Sequence, residues 1–108
     1  MSNLKLTIAI SDYDHVRDFA EGRVKAEGIE ANFLSFQVEE IFFRFLKFRE
    51  WDVSELSFAK FSTQVTRDDP DIIGLPVVCS RLFRFSSFYI NKNAGIKTVE
   101  DLKGKRVG

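Results

Sequence analysis

The first forty-eight residues carry two different hydrophobic periods. Leu4, Leu6, Ile8 and Ile10 alternate with Lys5, Thr7 and Ala9, a period of two that predicts a strand over residues 4–10. Residues 14–21 follow with Val16, Phe19 and Ala20 on one helical face and Gly22 as the stop. Gly28 turns the chain into a second strand over 31–36. The strongest helical pattern covers 38–48, where Val38, Ile41, Phe42, Phe45, Leu46 and Phe48 share one arc. Glu39, Glu40, Arg44 and Lys47 occupy the other side, with Glu40 and Arg44 spaced as an i,i+4 pair. Phe43 falls on the polar side with no local explanation, and its burial by a later part of the protein is one expectation.

Beyond Phe48 the pattern predicts a turn and short strand over 51–57. A helix over 58–67 then carries Phe58, Phe61 and Val65 inward and ends at Asp68-Asp69-Pro70, since proline cannot continue a helix. An apolar strand follows over 72–78, with Pro76 marking an edge or a break in the ladder. Another strand is expected over 84–91, then a turn at Asn93-Ala94-Gly95 and a short helix over 98–102 capped by Thr98 and stopped at Gly104. Residues 103–108 read as the lead-in to a further strand, so the chain is expected to be the opening part of a longer protein. Strands alternating with helices imply βαβ units. The expected fold class is therefore α/β, a three-layer, mostly parallel sheet, incomplete within this chain. Twelve phenylalanines are expected to fill much of its core.

Composition adds exclusions. Sixteen basic and sixteen acidic residues leave a net charge of zero, with no basic block, so no nucleic-acid partner is expected. No apolar run approaches the roughly 20 residues of a membrane helix, so no membrane insertion is expected. Residues 1–5 run into a strand pattern without a signal-peptide core, which reads as cytoplasmic, or periplasmic if an export signal was trimmed. The single cysteine, Cys79, forms no internal disulfide and is most simply a small packed side chain.

Ligands of open parallel sheets bind beyond the carboxyl ends of strands, so the candidate chemistry lies in residues 11–15, 55–57 and 79–84. Arg81 and Arg84 each offer a planar fork suited to a carboxylate and are expected to hold a small anionic ligand. Asp12, Glu55 and His15 are the candidates for proton transfer, Asp12 also being placed to cap a helix. Glu55 ends a buried strand, so its carboxylate needs a partner, whether protein or ligand. Tyr13, Ser57 and Ser80 complete the candidate ligand contacts. Asp12, Asp14 and His15, three donors within four residues, fit no compact zinc spacing, so no metal ligands are assigned.

The segments Asp12-Tyr13-Asp14, Glu21-Gly22-Arg23-Val24 with Glu27-Gly28-Ile29, Glu39 to Phe42, Asp52 to Ser57, Pro76 to Arg84 and Asp101 to Gly108 together resemble the N-terminal third of the 4,5-dihydroxyphthalate decarboxylases, relatives of type II periplasmic solute-binding proteins. The Asp101 to Gly108 tail is shared widely among solute-binding proteins, whereas Ser80-Arg81-Leu82-Phe83-Arg84 with Asp12-Tyr13-Asp14 is narrower. The pattern departs at Phe85, where a histidine often follows the second arginine. The resemblance implies two α/β lobes with the ligand in the cleft between them: residues 1–80 would form most of lobe one, and 81–108 a hinge strand and the start of lobe two. It further implies a carboxy-lyase acting on an aromatic dicarboxylate without an organic cofactor, a divalent metal being left open. The alternatives on the same fold are a small-anion solute receptor of an ABC-type transporter and a noncatalytic sensor. An unfinished sheet edge would allow pairing of the chain with itself as a homo-oligomer.

Overall fold

Three strands form one parallel sheet in the order β2-β1-β3, with β1 at Leu4–Ala9, β2 at Ile29–Leu34 and β3 at Val53–Ser54. Helix α1 (Asp14–Ala20) connects β1 to β2, α2 (Val38–Phe48) connects β2 to β3, and α3 (Phe58–Val65) follows β3. The computed structural model describes residues 2–108.

The register explains how the layers arise. Ile8 pairs with Phe33 and Ala9 with Leu34, and successive residues of a strand point to opposite faces. Phe33 meets Phe19 of α1 edge to face at 4.9 Å between ring centres. Ala9 and Leu34 instead join Ile41 and Phe45 of α2 and Trp51 in the buried core. The two helices therefore cover opposite faces of the sheet.

The chain steps from β1 outward to β2, then back across β1 to β3. That reversal makes the gap between the carboxyl ends of β1 and β3 a topological switch point, where neighbouring connections part and leave a crevice. Asp52 extends the short β3 pairing with its side chain. Its Oδ2 accepts from the Thr7 N–H at 2.8 Å while its own N–H donates to the Thr7 carbonyl at 3.1 Å.

Helix α2 forms over its whole expected span and buries Ile41 and Phe45. Its Glu40–Arg44 pair closes at 2.9 Å, and the Arg44 guanidinium also stacks over Phe36 and Trp51, at 4.5 and 5.1 Å from the ring centres. Arg49 ends the helix in the left-handed region, φ 49°. Its guanidinium donates to the carbonyls of Phe45 and Leu46 at 2.7 and 2.8 Å and grips Asp71 with Nε and Nη2, so one side chain caps α2 and ties down the segment after α3. The Thr98 cap forms as expected, with the Asp101 carboxylate accepting from the N–H groups of Lys97 and Thr98 over a single 3₁₀ turn at Val99–Leu102.

Several expectations are corrected. Residues 72–78 form no strand: β3 offers an edge only two residues long, and Pro76 lacks the donor a ladder needs. Residues 84–91 are not a strand either. Ser86 Oγ donates to the Phe83 carbonyl at 2.8 Å and the Phe88 N–H to the Phe85 carbonyl at 3.3 Å, closing a 3₁₀ turn at Arg84–Ser87 in place of extended chain. Phe58 is 81% exposed and does not point inward, and Phe48 is more than half exposed beside Phe43. Of the twelve phenylalanines only Phe45 is buried. The radius of gyration is 18.9 Å, against roughly 13 Å for a compact chain of this length, because the later segments pack on no further strand.

Candidate active site

Glu55 is the only buried charged residue among those described, with 7% of its surface exposed, and it stands at the switch point directly after β3. Its main chain continues the sheet, the N–H donating to the Ala9 carbonyl at 2.9 Å. Its carboxylate turns toward the segment that leaves β1. Oε2 accepts from the Ser11 N–H at 3.1 Å, and Oε1 accepts a short hydrogen bond from the Tyr13 hydroxyl. Both oxygens are thus engaged, which is what makes burial of the carboxylate tolerable.

Tyr13 can reach Glu55 because it sits outside α1. Its backbone is extended, φ −107° and ψ 140°, and its carbonyl starts the helix by accepting from the N–H groups of Val16 and Arg17. The side chain is therefore not committed to a helical face. The His15 ring lies nearly parallel to it, 5.4 Å between centres.

Burial, then the hydrogen bond to Glu55 and the charge of that carboxylate, push the Tyr13 phenol up to about 12, while the nearby Ser80 hydroxyl pulls the other way. Cys79 borders the same group, and its thiol is raised by burial and then by Glu55, which favours the protonated form over a nucleophilic thiolate. The phenol of the unfolded chain ionises near 10. Neutral Tyr13 is thus favoured by folding, and its contribution is complete below pH 10 and lost as pH rises from 10 to 12. Urea midpoints measured from pH 9 to 12 should fall more steeply for the native chain than for Tyr13→Phe; parallel curves would dismiss the coupling.

The structure thus gathers Tyr13, His15, Glu55 and Ser80 around one point, together with the Ser11 N–H and Cys79. The other candidates stand apart. Asp12 is exposed and makes no cap; it accepts from Arg17 Nε and Nη2 at 3.3 and 3.2 Å, and Asp14 joins the same guanidinium at 3.1 Å. Ser57 is half-buried at the start of α3, where its carbonyl accepts from the Phe61 N–H at 2.8 Å. Arg81 and Arg84 are exposed, and among the described residues neither forms an ion pair, so both guanidiniums are free for a ligand. Arg81 follows directly on Ser80. On the other side of β1 an open cleft of about 270 Å³ lies between Ser11, Tyr13, Arg17 and the end of β2 at Phe33, just below the usual range for ligand pockets.

The Tyr13–Glu55 bond is the feature the linear pattern did not pair. Each residue is flagged separately by its place after a strand, but they are 42 positions apart, and their meeting depends on β3 lying beside β1.

No protein-family model matches the chain. Over its whole length it is similar to the 4,5-dihydroxyphthalate decarboxylase of Comamonas testosteroni, at 40% identity across 108 residues that make up 33% of that protein. It is likewise similar to the 4,5-dihydroxyphthalate decarboxylase of Pseudomonas putida, at 38% identity across the same number of residues, 42% of that protein. The resemblance carried by the Asp12-Tyr13-Asp14 and Ser80 to Arg84 segments is therefore met along the entire chain. The chain spans between a third and about two fifths of the length of these curated relatives.

Proposed function

We propose that this chain supplies part of the ligand cleft of a decarboxylase acting on an aromatic dicarboxylate of the 4,5-dihydroxyphthalate type. The observation that carries the proposal is the buried Glu55 carboxylate, bonded to Tyr13 at the switch point of a parallel sheet in a chain 40% identical to a protein so named. Buried carboxylates coupled to a second titratable group in a crevice are characteristic of sites that bind and move protons.

On this reading the protein has the two-lobed plan of type II solute-binding proteins. Residues up to about 80 belong to the first lobe, and 81–108 lead into the second. The ligand lies across the cleft with one carboxylate on Arg81 and Arg84. Loss of the other carboxylate requires a proton at the ring carbon that bears it: the carbon–carbon bond breaks, carbon dioxide leaves and the incoming proton replaces it, giving a dihydroxybenzoate. His15, whose ring lies along that of Tyr13, would deliver that proton and be recharged from water, whereas the Asp12 carboxylate is paired with Arg17. A ring hydroxyl that gives its proton to a water molecule would feed electron density toward the same carbon, and the cations would hold the diacid as charge shifts through the ring.

The test is incubation of the full-length protein with 4,5-dihydroxyphthalate, recording released carbon dioxide and bound ligand together. Release with turnover is expected. Tight binding without release would replace the enzyme by a solute receptor, and neither binding nor release would dismiss the reading.

A further inference from the structure

Resting on the reading above, we infer that Tyr13 is a specificity-determining residue: with its only proton committed to Glu55, it faces the ligand solely as a hydrogen-bond acceptor and selects a ring that carries a hydroxyl. A phenol has one donor and can also accept. In this structure the donor is spent on Glu55 Oε1, a partner that, as a carboxylate, can only accept. Glu55 cannot turn away to release it, because Oε2 is held by the Ser11 N–H and the residue is buried. The phenol oxygen therefore accepts on every side other than that of Glu55.

Two consequences follow for the ligand. A hydroxyl approaching Tyr13 finds an acceptor and forms a hydrogen bond. A carboxylate approaching the same point brings only acceptors to an acceptor and is disfavoured. Tyr13 and the free guanidiniums of Arg81 and Arg84 are thus complementary in sign, and together they orient a hydroxylated diacid with its hydroxyl end at Tyr13 and a carboxylate end at the arginines. Glu55 acts only through Tyr13, as a positioning residue that sets the direction of one hydrogen bond.

The experiment is calorimetric titration of the full-length protein with 4,5-dihydroxyphthalate and with phthalate, which keeps both carboxylates and lacks the hydroxyls. The native protein should bind the dihydroxy compound about 10- to 100-fold more tightly, the range of one good hydrogen bond at a site built for it. Tyr13→Phe, which keeps the ring against His15, should lower that ratio about tenfold by weakening the dihydroxy compound alone. Glu55→Gln is the decisive variant. It replaces the carboxylate by an amide of the same shape. The amide oxygen can still accept from the Ser11 N–H, which leaves the amide nitrogen facing the phenol as a donor and frees the Tyr13 proton to point at the ligand. Phthalate, whose carboxylate can then accept from Tyr13, should bind about tenfold more tightly, while the dihydroxy compound, whose hydroxyl accepts as well as donates, keeps its affinity; the preference narrows although Tyr13 is untouched, which a merely structural Glu55 would not produce.

A native preference that survives both substitutions would overturn the inference while leaving the diacid site intact, as would equal binding of the two compounds by the native protein. Binding of neither compound by the native protein would overturn the diacid reading, and this inference with it.

Discussion

Ile41→Ala should destabilise the folded chain by about 2–5 kcal/mol, the cost of removing a large aliphatic side chain from a site that cannot collapse around the loss. Ile41 is fully buried, and among the described residues it shares its cluster with only Ala9, Phe45 and Trp51 as buried apolar neighbours. With so few residues in that cluster, none of them is redundant. The effect should reach the site as well. Ile41 holds α2 against Trp51, and the next residues lead through β3 at Val53–Ser54 to Glu55, which delivers its carboxylate to Tyr13. Urea unfolding should show a lower midpoint for Ile41→Ala, and amide exchange at Glu55 should quicken before global unfolding. Phe43→Ala, on the exposed side of the same helix, should change stability by no more than about 0.5 kcal/mol and serves as the control. Equal losses in the two variants would show that α2 does not anchor the sheet.

That contrast also shows what the sequence could convey. Helix α2 was legible to the residue because its apolar arc, its acidic first turn and its Lys47 end all favour one structure. The exposed position of Phe43 was legible for the same reason. Strand β2 was legible in kind but not in place: it runs Ile29–Leu34 rather than 31–36, since pairing with β1 begins as soon as Gly28, at φ 75°, has turned the chain. Residues 72–78 and 84–91 have apolar or alternating patterns that suit a strand, yet a strand needs a neighbouring edge, and β3 presents two residues of one. Local bonds within Phe83 to Phe88 then decide the conformation there.

The site was legible by position more than by partnership. Parallel topology predicts that ligand chemistry clusters after strand ends, and Tyr13, His15 and Glu55 do lie there. Which acid would be buried and which would face solvent could not be read from spacing. Asp12 follows β1 as closely as Tyr13 does, but it pairs with Arg17 one helical turn on, and the residue beside it reaches Glu55. The division of labour follows from the extended backbone at Tyr13, which turns adjacent side chains to opposite sides.

Arg81→Ala in the full-length protein should weaken binding of 4,5-dihydroxyphthalate by about 10- to 100-fold, the usual loss when a charge-assisted, two-pronged contact to a carboxylate is removed. Stability should not change, because Arg81 is exposed and, among the described residues, pairs with no acid of the protein. The loss should be symmetric between hydroxylated and plain diacids, since the guanidinium reads a carboxylate and not a ring hydroxyl. Arg81→Lys should recover only part of the affinity, because an ammonium keeps the charge and loses the fork. Arg84→Ala should show a smaller effect. Arg81 adjoins Ser80 and hence Tyr13, whereas Arg84 opens a separate 3₁₀ turn three residues farther on. Calorimetric titration of the three variants against both diacids, with thermal melts run beside it, separates these outcomes. Undiminished affinity in Arg81→Ala would remove this arginine from the site and leave the Tyr13–Glu55 pair to be matched with a cation elsewhere in the cleft.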